Sequence, residues 1–357
     1  MKTTEQNINQ AVELLKLLVN TPSVSREESD AADKLQMFIE RSTPVMIDIH
    51  RHLNNIWCIA PDFDPSRPTL LLDAHIDTVK PVAGWNTHPF TAITEGDTIY
   101  GLGTNDDGAS LVTLLQVFYL ICQNKQKYNT IFLASAEEEV SGKNGIEAVM
   151  PLLPKIDCAI VGEPTSMQPA IAEKGLMVLD CVAHGVSGHA ARDLGDNAIY
   201  KAMKDIEWFR THKFPRTSTL LGDIKMSVTL VNAGTQHNVI PDTCSFVVDV
   251  RTNECYGNKE LAEIIKAEVE ADVTPRSTRL NSSFIPTEHQ LVKRALELGG
   301  VPFGSPTLSN QALLDIPTLK IGPGDSTRSH TANEFIRISE IREGLEFFVK
   351  MLDGLEL

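Results

Sequence analysis

The spacing of hydrophobic positions predicts alternating strands and helices in the first half of the chain. Continuous apolar runs at residues 69–74, 130–135 and 156–161 are typical of strands that are buried on both faces of a parallel sheet. Apolar residues from Leu111 to about Cys122 predict a long buried helix between the first two strands. Strands that alternate with helices imply right-handed crossovers, so we predict an α/β unit with a mostly parallel sheet.

Two helices are predicted before the first of these strands. Apolar residues recur at helical spacing from Ile8 to Val19, and Pro22 lies just beyond the end of that helix. Ser25 and Glu28 have the spacing of a capping box, which predicts that a second helix starts at this point.

The pattern changes near Gly175 and changes back after Pro286. The intervening segment predicts strands at residues 177–183, 225–232 and 245–251 and helices at residues 197–210 and 259–270. Strands and helices in this order are typical of a small ferredoxin-like α+β sandwich. We therefore predict one domain formed by residues 1–174 and 287–357, interrupted by an inserted domain at residues 175–286.

Composition narrows the possible functions. The chain has 357 residues, of which 42% are hydrophobic and 22% charged, as in an ordinary globular protein. The net charge of −15 argues against a nucleic-acid partner, because binding to phosphates needs clustered Lys and Arg. The six cysteines are scattered and are expected to be free thiols. Without a membrane-spanning run or a signal-peptide pattern, a cytoplasmic location with no membrane partner is expected.

Potential metal ligands follow each of the three predicted buried strands. They are His75 and Asp77 after the first strand, Glu137, Glu138 and Glu139 after the second, and Glu163 after the third. In an open α/β sheet, ligands bind in the crevice outside the carboxyl ends of the strands. These side chains are therefore expected to lie close together.

Two further residues complete the candidate site. Asp106 precedes the long helix, and on its own it would be interpreted as a helix N-cap. Beside His75, a carboxylate that bridges two metal ions is the better interpretation. His330 lies in a Gly-rich loop after a late strand, which would allow it to reach the same site. Two histidines with three carboxylates suit zinc, with cobalt or manganese as possible substitutes.

The motifs around these residues resemble those of the metallo-aminoacylase and carboxypeptidase family that includes acetylornithine deacetylase, succinyl-diaminopimelate desuccinylase and glutamate carboxypeptidase. The matching motifs are His75-x-Asp77, Gly103-x-x-Asp106, Glu138-Glu139, Gly162-Glu163-Pro164-Thr165, Ser187-Gly188-His189, Asn238-Val239-Ile240-Pro241, Asp249-Val250-Arg251, and Gly322-Pro323-Gly324-Asp325 with His330. The resemblance covers nearly the whole chain and is strongest to the acetylornithine deacetylase-like members. It implies a two-zinc catalytic domain and an inserted ferredoxin-like domain that serves as a lid and a dimerisation surface.

The resemblance also implies a metal-binding role for five residues. His75, Asp106 and Glu163 would bind one zinc ion. The second zinc ion would be bound by Asp106, Glu139 and His330.

The remaining matches imply catalytic and substrate-binding roles. Glu138 would be the general base and Asp77 would orient His75. His189 would stabilise the oxyanion, in this family often from the lid of a partner subunit. Asn238 and Arg251 would bind carbonyl or carboxylate groups of the substrate. From the residues alone, His189 could also be a turn histidine and Arg251 an exposed strand end.

Two features of the sequence depart from the family pattern. The family often has a Lys in the motif D-x-K-G after the bridging aspartate, whereas here Asp107 is followed directly by Gly108. The three consecutive glutamates admit two alignments. In the alignment that we adopt, Glu138 is the base and Glu139 the ligand; in the other, Glu137 and Glu138 have these roles.

The predicted function is metal-dependent hydrolysis of the amide bond of an N-acyl amino acid. N-acetylornithine, in arginine biosynthesis, is the first substrate to consider, and N-acetylcitrulline and N-succinyl-ornithine are alternatives. A di- or tripeptidase of the same family is a second interpretation, and a non-catalytic metal- or peptide-binding protein is a third. The expected partners are a small-molecule substrate and a second copy of the chain.

Overall fold

The structure is a computed structural model, and it describes residues 1–192 and 194–357. The helices in this part of the chain are α1 (Glu5–Val19), α2 (Ser29–Ser42), α3 (Ala109–Cys122), α4 (Ile146–Val149), α5 (Ala198–Thr211), α6 (Asn258–Glu268), α7 (Gln290–Glu297) and α8 (Ile338–Leu352). The strands are β1 (Asp48–His52), β2 (Asn55–Ile59), β3 (Thr69–His75), β4 (Ile93–Glu95), β5 (Thr98–Tyr100), β6 (Asn129–Ser135), β7 (Cys158–Val161), β8 (Ala170–Glu173), β9 (Gly175–His184), β10 (Gly188–His189), β11 (Lys225–Ala233), β12 (Val239–Ile240), β13 (Thr243–Thr252), β14 (Asp272–Pro275), β15 (Ser283–Phe284), β16 (Phe303–Ser305), β17 (Thr318–Lys320) and β18 (Phe335–Arg337).

The described chain forms two compact units. The first unit contains residues 1–171, 284–303 and 309–357, and the second contains residues 172–283 and 304–308. Residues 304–308, which we predicted to lie in the discontinuous domain, lie in the second unit, where the carbonyl oxygen of Ser305 accepts a hydrogen bond from the backbone N–H of Lys174 (3.1 Å).

The sheet of the first unit has the strand order β1-β2-β6-β3-β7-β17-β8. Its four central strands, β6, β3, β7 and β17, run parallel to one another, whereas the strands on either side pair antiparallel. Every residue of these four strands is buried, which agrees with their continuous apolar sequences. The predicted α/β fold with a mostly parallel central sheet is confirmed.

Helix α3 is the central helix of the first unit. Its residues are buried from Ala109 to Ile121, because it packs against β3 and β6 and also against helices α1 and α8. A helix that is apolar on all sides is expected at such a position. It places the turn that precedes it, and therefore Asp106, beside the end of β3.

The second unit contains a four-stranded antiparallel sheet with the order β11-β13-β9-β14. Burial alternates along β9, so one face of this strand packs into a core that also includes residues of α5 and α6. Strands β10 and β12 form a separate two-stranded ribbon. The chain order of strand, helix, two strands, helix and strand is that of a ferredoxin-like sandwich.

Helix α2, the cysteines and the lengths of the helices were also predicted from the sequence. The prediction of a capping box from Ser25 and Glu28 is wrong. Helix α2 begins at Ser29, and the side chain of its N-cap residue, Glu28, makes no cap hydrogen bond. The six cysteines are free thiols. Within the described residues, every helix is too short or too polar to cross a lipid bilayer.

The core around β6 provides a test of this packing. Phe132 is fully buried, and its ring lies 6.1 Å from that of Phe118. Phe132→Ala should lower the free energy of unfolding by about 3–5 kcal/mol, because it removes a large buried side chain and leaves a cavity. Denaturant titration measures this change. Met37→Ala, at a position that is 66% exposed, should change it by less than about 0.5 kcal/mol, and equal effects of the two substitutions would contradict the described core.

Candidate metal centre

The candidate ligands lie at the carboxyl ends of the central parallel strands. His75 is the last residue of β3, and Glu163 lies two residues beyond the end of β7. A short 3₁₀ turn, Glu138–Val140, follows β6. Because β3, β6 and β7 are adjacent and parallel, their ends bring these residues to one edge of the sheet.

Asp106 reaches the same edge from the turn Thr104–Gly108. Its backbone is not helical (φ −122°, ψ 97°), the peptide bond between Asp106 and Asp107 is cis, and α3 starts only at Ala109. Because Gly108 occupies the N-cap position of α3, the N-cap interpretation of Asp106 is wrong. A Cβ atom on Gly108 would lie 2.3 Å from the carbonyl oxygen of Gly103, so the backbone leaves no space for a side chain at this position.

Two groups of side chains offer ligand atoms that lie within 4.8 Å of one another. One group is His75, Asp106 and Glu163, and the other is Asp106, Glu139 and His330. Asp106 belongs to both. These are the two ligand sets that the family resemblance implied.

The histidine contacts show how close these groups are. His75 Nε2 lies 3.2 Å from Asp106 Oδ1. His330 Nε2 lies 2.9 Å from Glu139 Oε2 and 3.6 Å from Asp106 Oδ2. The side chain of His75 is 2% exposed, whereas that of His330 is 54% exposed. The ligand group that contains His75 is thus buried at its histidine, whereas the group that contains His330 has an exposed histidine.

Asp77 contacts both His75 and the turn after β6. The Nδ1 atom of His75 lies 2.9 Å from the backbone carbonyl oxygen of Asp77 and 3.5 Å from its carboxylate. A proton on Nδ1, donated to this carbonyl, leaves Nε2 free to bind a metal ion. The Asp77 carboxylate accepts hydrogen bonds from the backbone N–H groups of Glu138 (2.9 Å) and Glu139 (3.2 Å).

The three consecutive glutamates have different environments. Glu137 has a positive φ of 55°, and its carboxylate accepts a hydrogen bond from the side-chain amide of Asn144 (2.9 Å). Glu138 Oε2 lies 3.8 Å from His75 Nε2, and Glu139 belongs to the second ligand group. This arrangement favours the alignment in which Glu138 is the base and Glu139 the ligand.

The site concentrates negative charge in a buried place. Burial raises the pKa of Glu138 and that of Glu163 well above their usual values, and neighbouring carboxylates raise them further. Burial lowers the pKa of His75, but the negative charges of the nearby Asp106 and Asp77 carboxylates outweigh this effect and raise the pKa. The hydrogen bond to Glu139 raises the pKa of His330.

The residues present fit a pair of divalent cations. Two histidines and three carboxylates are hard or borderline donors, and one of the carboxylates belongs to both groups. Cations between them would neutralise charges that burial and mutual repulsion otherwise destabilise.

Glu334 supports this site, although no motif or spacing in the sequence singles it out. Its side chain is buried, and its carboxylate accepts hydrogen bonds from the backbone N–H groups of Gly103 (3.1 Å), Asn105 (2.8 Å) and Asp106 (3.0 Å). Burial raises the pKa of Glu334 to about 8. Because Glu334 also lies four residues after His330, it connects the segments that carry two of the ligands.

The three residues predicted to contact the substrate, His189, Asn238 and Arg251, lie in the second unit. His189 and Asn238 are exposed and lie together, because β10 pairs with β12 and the carbonyl oxygen of Asn238 accepts a hydrogen bond from Ala190 N (3.0 Å). Arg251 lies on β13, where its guanidinium group donates two hydrogen bonds to Asp249 (2.9 and 3.2 Å).

Two adjoining ligand groups that share one carboxylate are the arrangement found in two-metal hydrolases. The sequence profile of peptidase family M20/M25/M40 matches residues 71–354, which is well over half of the chain. The chain belongs to this family of hydrolases, and the family resemblance seen in the sequence is confirmed.

Individual relatives are similar over nearly the whole chain. An acetylornithine deacetylase from Pectobacterium carotovorum is 26% identical over an alignment of 378 positions, gaps included, and the alignment covers 98% of each chain. A Mycobacterium tuberculosis protein, named provisionally as a succinyl-diaminopimelate desuccinylase, is 26% identical over an alignment of 359 positions, gaps included. The alignment covers 96% of this chain and 98% of that one.

Solved structures show the same fold. The aminopeptidase PepT from Bacillus cereus has a TM-score of 0.73 at 18% identity, with 97% of this chain and 98% of that chain covered. A dinuclear metal-binding peptidase of the M20 family from Bacillus subtilis has a TM-score of 0.72 at 17% identity, with 99% and 100% covered.

The contacts of Glu334 predict its effect on metal binding. Glu334→Ala should weaken binding of divalent metal at least tenfold, because the turn that carries Asp106 loses the acceptor of three backbone N–H groups, and a buried donor without a partner is costly. Competition with a chromogenic chelator measures the affinity. Glu346→Ala removes an exposed glutamate of α8 and serves as the control. Equal affinities for the two variants would show that Glu334 does not hold this turn.

Proposed function

We propose that this protein is a two-zinc amidohydrolase that removes a small acyl group from an N-acylated amino acid. The observation that carries the proposal is the position of Glu138, 3.8 Å from His75, beside two ligand groups to which it does not itself belong. A buried carboxylate at this place is suited to accept a proton from an attacking water molecule.

The substrate proposed first is N-acetylornithine. Similarity to an acetylornithine deacetylase over 98% of each chain supports this choice. N-acetylcitrulline and N-succinyl-ornithine are the next candidates.

The first unit would hold the metal ions. His75, Asp106 and Glu163 would bind one zinc ion, and Asp106, Glu139 and His330 the other, with cobalt or manganese as possible substitutes. When bound, the two ions would polarise the amide carbonyl and lower the pKa of the attacking water.

Glu138 would transfer the proton. It would take the proton from the water and pass it to the departing amine, which must be protonated to leave. Burial raises the pKa of Glu138, and a raised pKa favours a carboxylate that has to hold a proton between these two steps. Asp77 would keep the Nδ1 atom of His75 protonated through its backbone carbonyl, which is 2.9 Å away.

Three residues of the second unit would contact the substrate. His189 would stabilise the oxyanion, and Asn238, which neighbours it through the β10–β12 ribbon, would bind a carbonyl or carboxylate oxygen. Arg251 would bind a carboxylate: Asp249 accepts from its Nε and Nη2 atoms, and the donors on Nη1, which bind no described residue, would be left for a ligand.

We also propose that the second unit acts as a lid and forms a homodimer. Strand β11 lies at the edge of its sheet, where it pairs with β13 alone among the described strands. Leu230 and Val231 on this strand are 56% and 53% exposed. An exposed apolar edge strand is suited to pairing with a second copy of the chain.

A di- or tripeptidase activity is the second candidate, and the fold shared with the aminopeptidase PepT favours it. A metal- or peptide-binding protein without catalysis is the third. The presence of both ligand groups and of Glu138 argues against the third candidate.

A hydrolysis screen distinguishes these candidates. The zinc-loaded protein should release ornithine from N-acetylornithine at least a hundredfold faster than it cleaves dipeptides or tripeptides with free amino groups. Removal of metal with a chelator should abolish the activity, and added zinc should restore it, because the polarising charge is supplied by the ions. Preferred cleavage of free peptides would favour the peptidase, and no cleavage of any amide would refute the amidohydrolase.

Two adjacent substitutions test the division of roles in the glutamate turn. Glu138→Ala should keep both metal equivalents but reduce turnover at least a hundredfold, because it removes the proton acceptor. Glu139→Ala should instead lose one metal equivalent. Metal analysis by mass spectrometry and steady-state kinetics measure both effects. Near-normal turnover of Glu138→Ala would refute its role as the base.

A further inference from the structure

The loop between α1 and α2 runs beside the end of β3. The backbone N–H of Ser25 donates to the carbonyl oxygen of Thr78 (3.1 Å), and the N–H of Thr78 donates to the carbonyl oxygen of Ser23 (2.9 Å). Val24 and Thr78 consequently form a short parallel bridge. This bridge fixes Ser25 next to Asp77.

The Ser25 side chain is directed at the Asp77 carboxylate. Its hydroxyl group donates a hydrogen bond to Asp77 Oδ2 (2.7 Å). The same carboxylate accepts from the backbone N–H groups of Glu138, on Oδ1, and Glu139, on Oδ2. Since His75 Nδ1 is closer to the backbone carbonyl of Asp77 than to its carboxylate, the carboxylate has its shortest contacts with Ser25 and the glutamate turn.

We infer that Ser25 is a positioning residue for Glu138 and Glu139, and that it acts through the Asp77 carboxylate. Its hydroxyl fixes the rotation of this carboxylate, so that both oxygens face the two backbone N–H groups of the turn. The catalytic consequence rests on the proposed function, whereas the positioning itself rests on the geometry. Ser25 lies outside residues 71–354, the stretch that matches the family profile.

A second contact from the same loop supports the inference. Glu28 is buried, and its Oε1 atom accepts a hydrogen bond from the backbone N–H of Glu137 (3.2 Å). Its Oε2 atom accepts from the side chain of Asn54 (3.1 Å). Residues 25–28 therefore hold the turn at three successive N–H groups, through Glu28 at Glu137 and through Asp77 at Glu138 and Glu139.

The test compares Ser25→Ala with Ser25→Thr, which keeps the hydroxyl group, and with Ser29→Ala, which removes an exposed serine in the first turn of α2. Amide hydrogen exchange of a peptide that contains residues 138 and 139 measures the turn directly. Ser25→Ala should increase the exchange rate of this peptide about tenfold, because the charged Asp77 carboxylate loses the hydrogen bond from the Ser25 hydroxyl group. Ser25→Thr should restore slow exchange, and Ser29→Ala should leave it unchanged.

Kinetics and metal binding supply independent measurements. For Ser25→Ala we expect kcat to fall about tenfold and KM to change less than twofold, because the geometry of the base changes while substrate contacts remain. The affinity for one metal equivalent should fall, because Glu139 belongs to only one ligand group. The melting temperature should fall by no more than about 2–6 °C relative to that of Ser29→Ala, because only one hydrogen bond is lost.

These measurements distinguish failure of the positioning role of Ser25 from failure of the proposed function. Unchanged exchange in Ser25→Ala would overturn the inference. A large fall in melting temperature with equal loss of both metal equivalents would also overturn it, because it would show a general structural role. If the unsubstituted protein hydrolyses no amide while exchange and metal affinity respond as expected, the proposed function fails and the positioning role stands.

Discussion

Mutual repulsion among buried carboxylates is the constraint that the rest of the metal centre has to satisfy. Burial raises the pKa of Glu138 and that of Glu163, and the nearby Asp106 carboxylate raises both further, at a sheet edge that excludes much of the solvent. Such a cluster is stable only if cations or protons occupy it and if donors fix each carboxylate in place. The donors in this protein are largely backbone N–H groups, and they reach the site indirectly: those of Glu138 and Glu139 bind to Asp77, and that of Asp106 binds to Glu334.

The parallel arrangement of the central strands is what allows this concentration of charge. In the pairing of β3 with β6, His75 is opposite Ser135, so the glutamate turn begins just beyond the end of the histidine strand. If these two strands ran antiparallel, the turn after β6 would lie at the opposite edge of the sheet from His75. The complete burial of β3, β6 and β7 then follows, because a parallel sheet is covered by helices on both faces.

Much of this organisation could be predicted from the sequence, because its signals are local. A buried apolar run followed at once by His or Glu identifies both a strand and the residue at its carboxyl end. The supporting contacts have no such local signal. Ser25 binds a residue 52 positions away and Glu334 binds the N–H of a residue 229 positions away. The spacing of Ser25 and Glu28 even predicts a capping box, because a serine and a glutamate three residues apart have the same sequence pattern whether they cap a helix or bind a distant turn.

The three consecutive glutamates show why composition and spacing alone left two alignments open. The positive φ of Glu137 turns the chain at this residue, so that its carboxylate points towards Asn144. The Glu137 side chain also packs closely against Gly142, where an added Cβ atom would lie 1.9 Å from Glu137 Oε2. Once Glu137 is held in this way, the next two residues are the ones that can reach the histidines. The backbone N–H of Glu137 thus has a different acceptor, Glu28, from those of Glu138 and Glu139, which both donate to Asp77, and this difference separates the first glutamate from the other two.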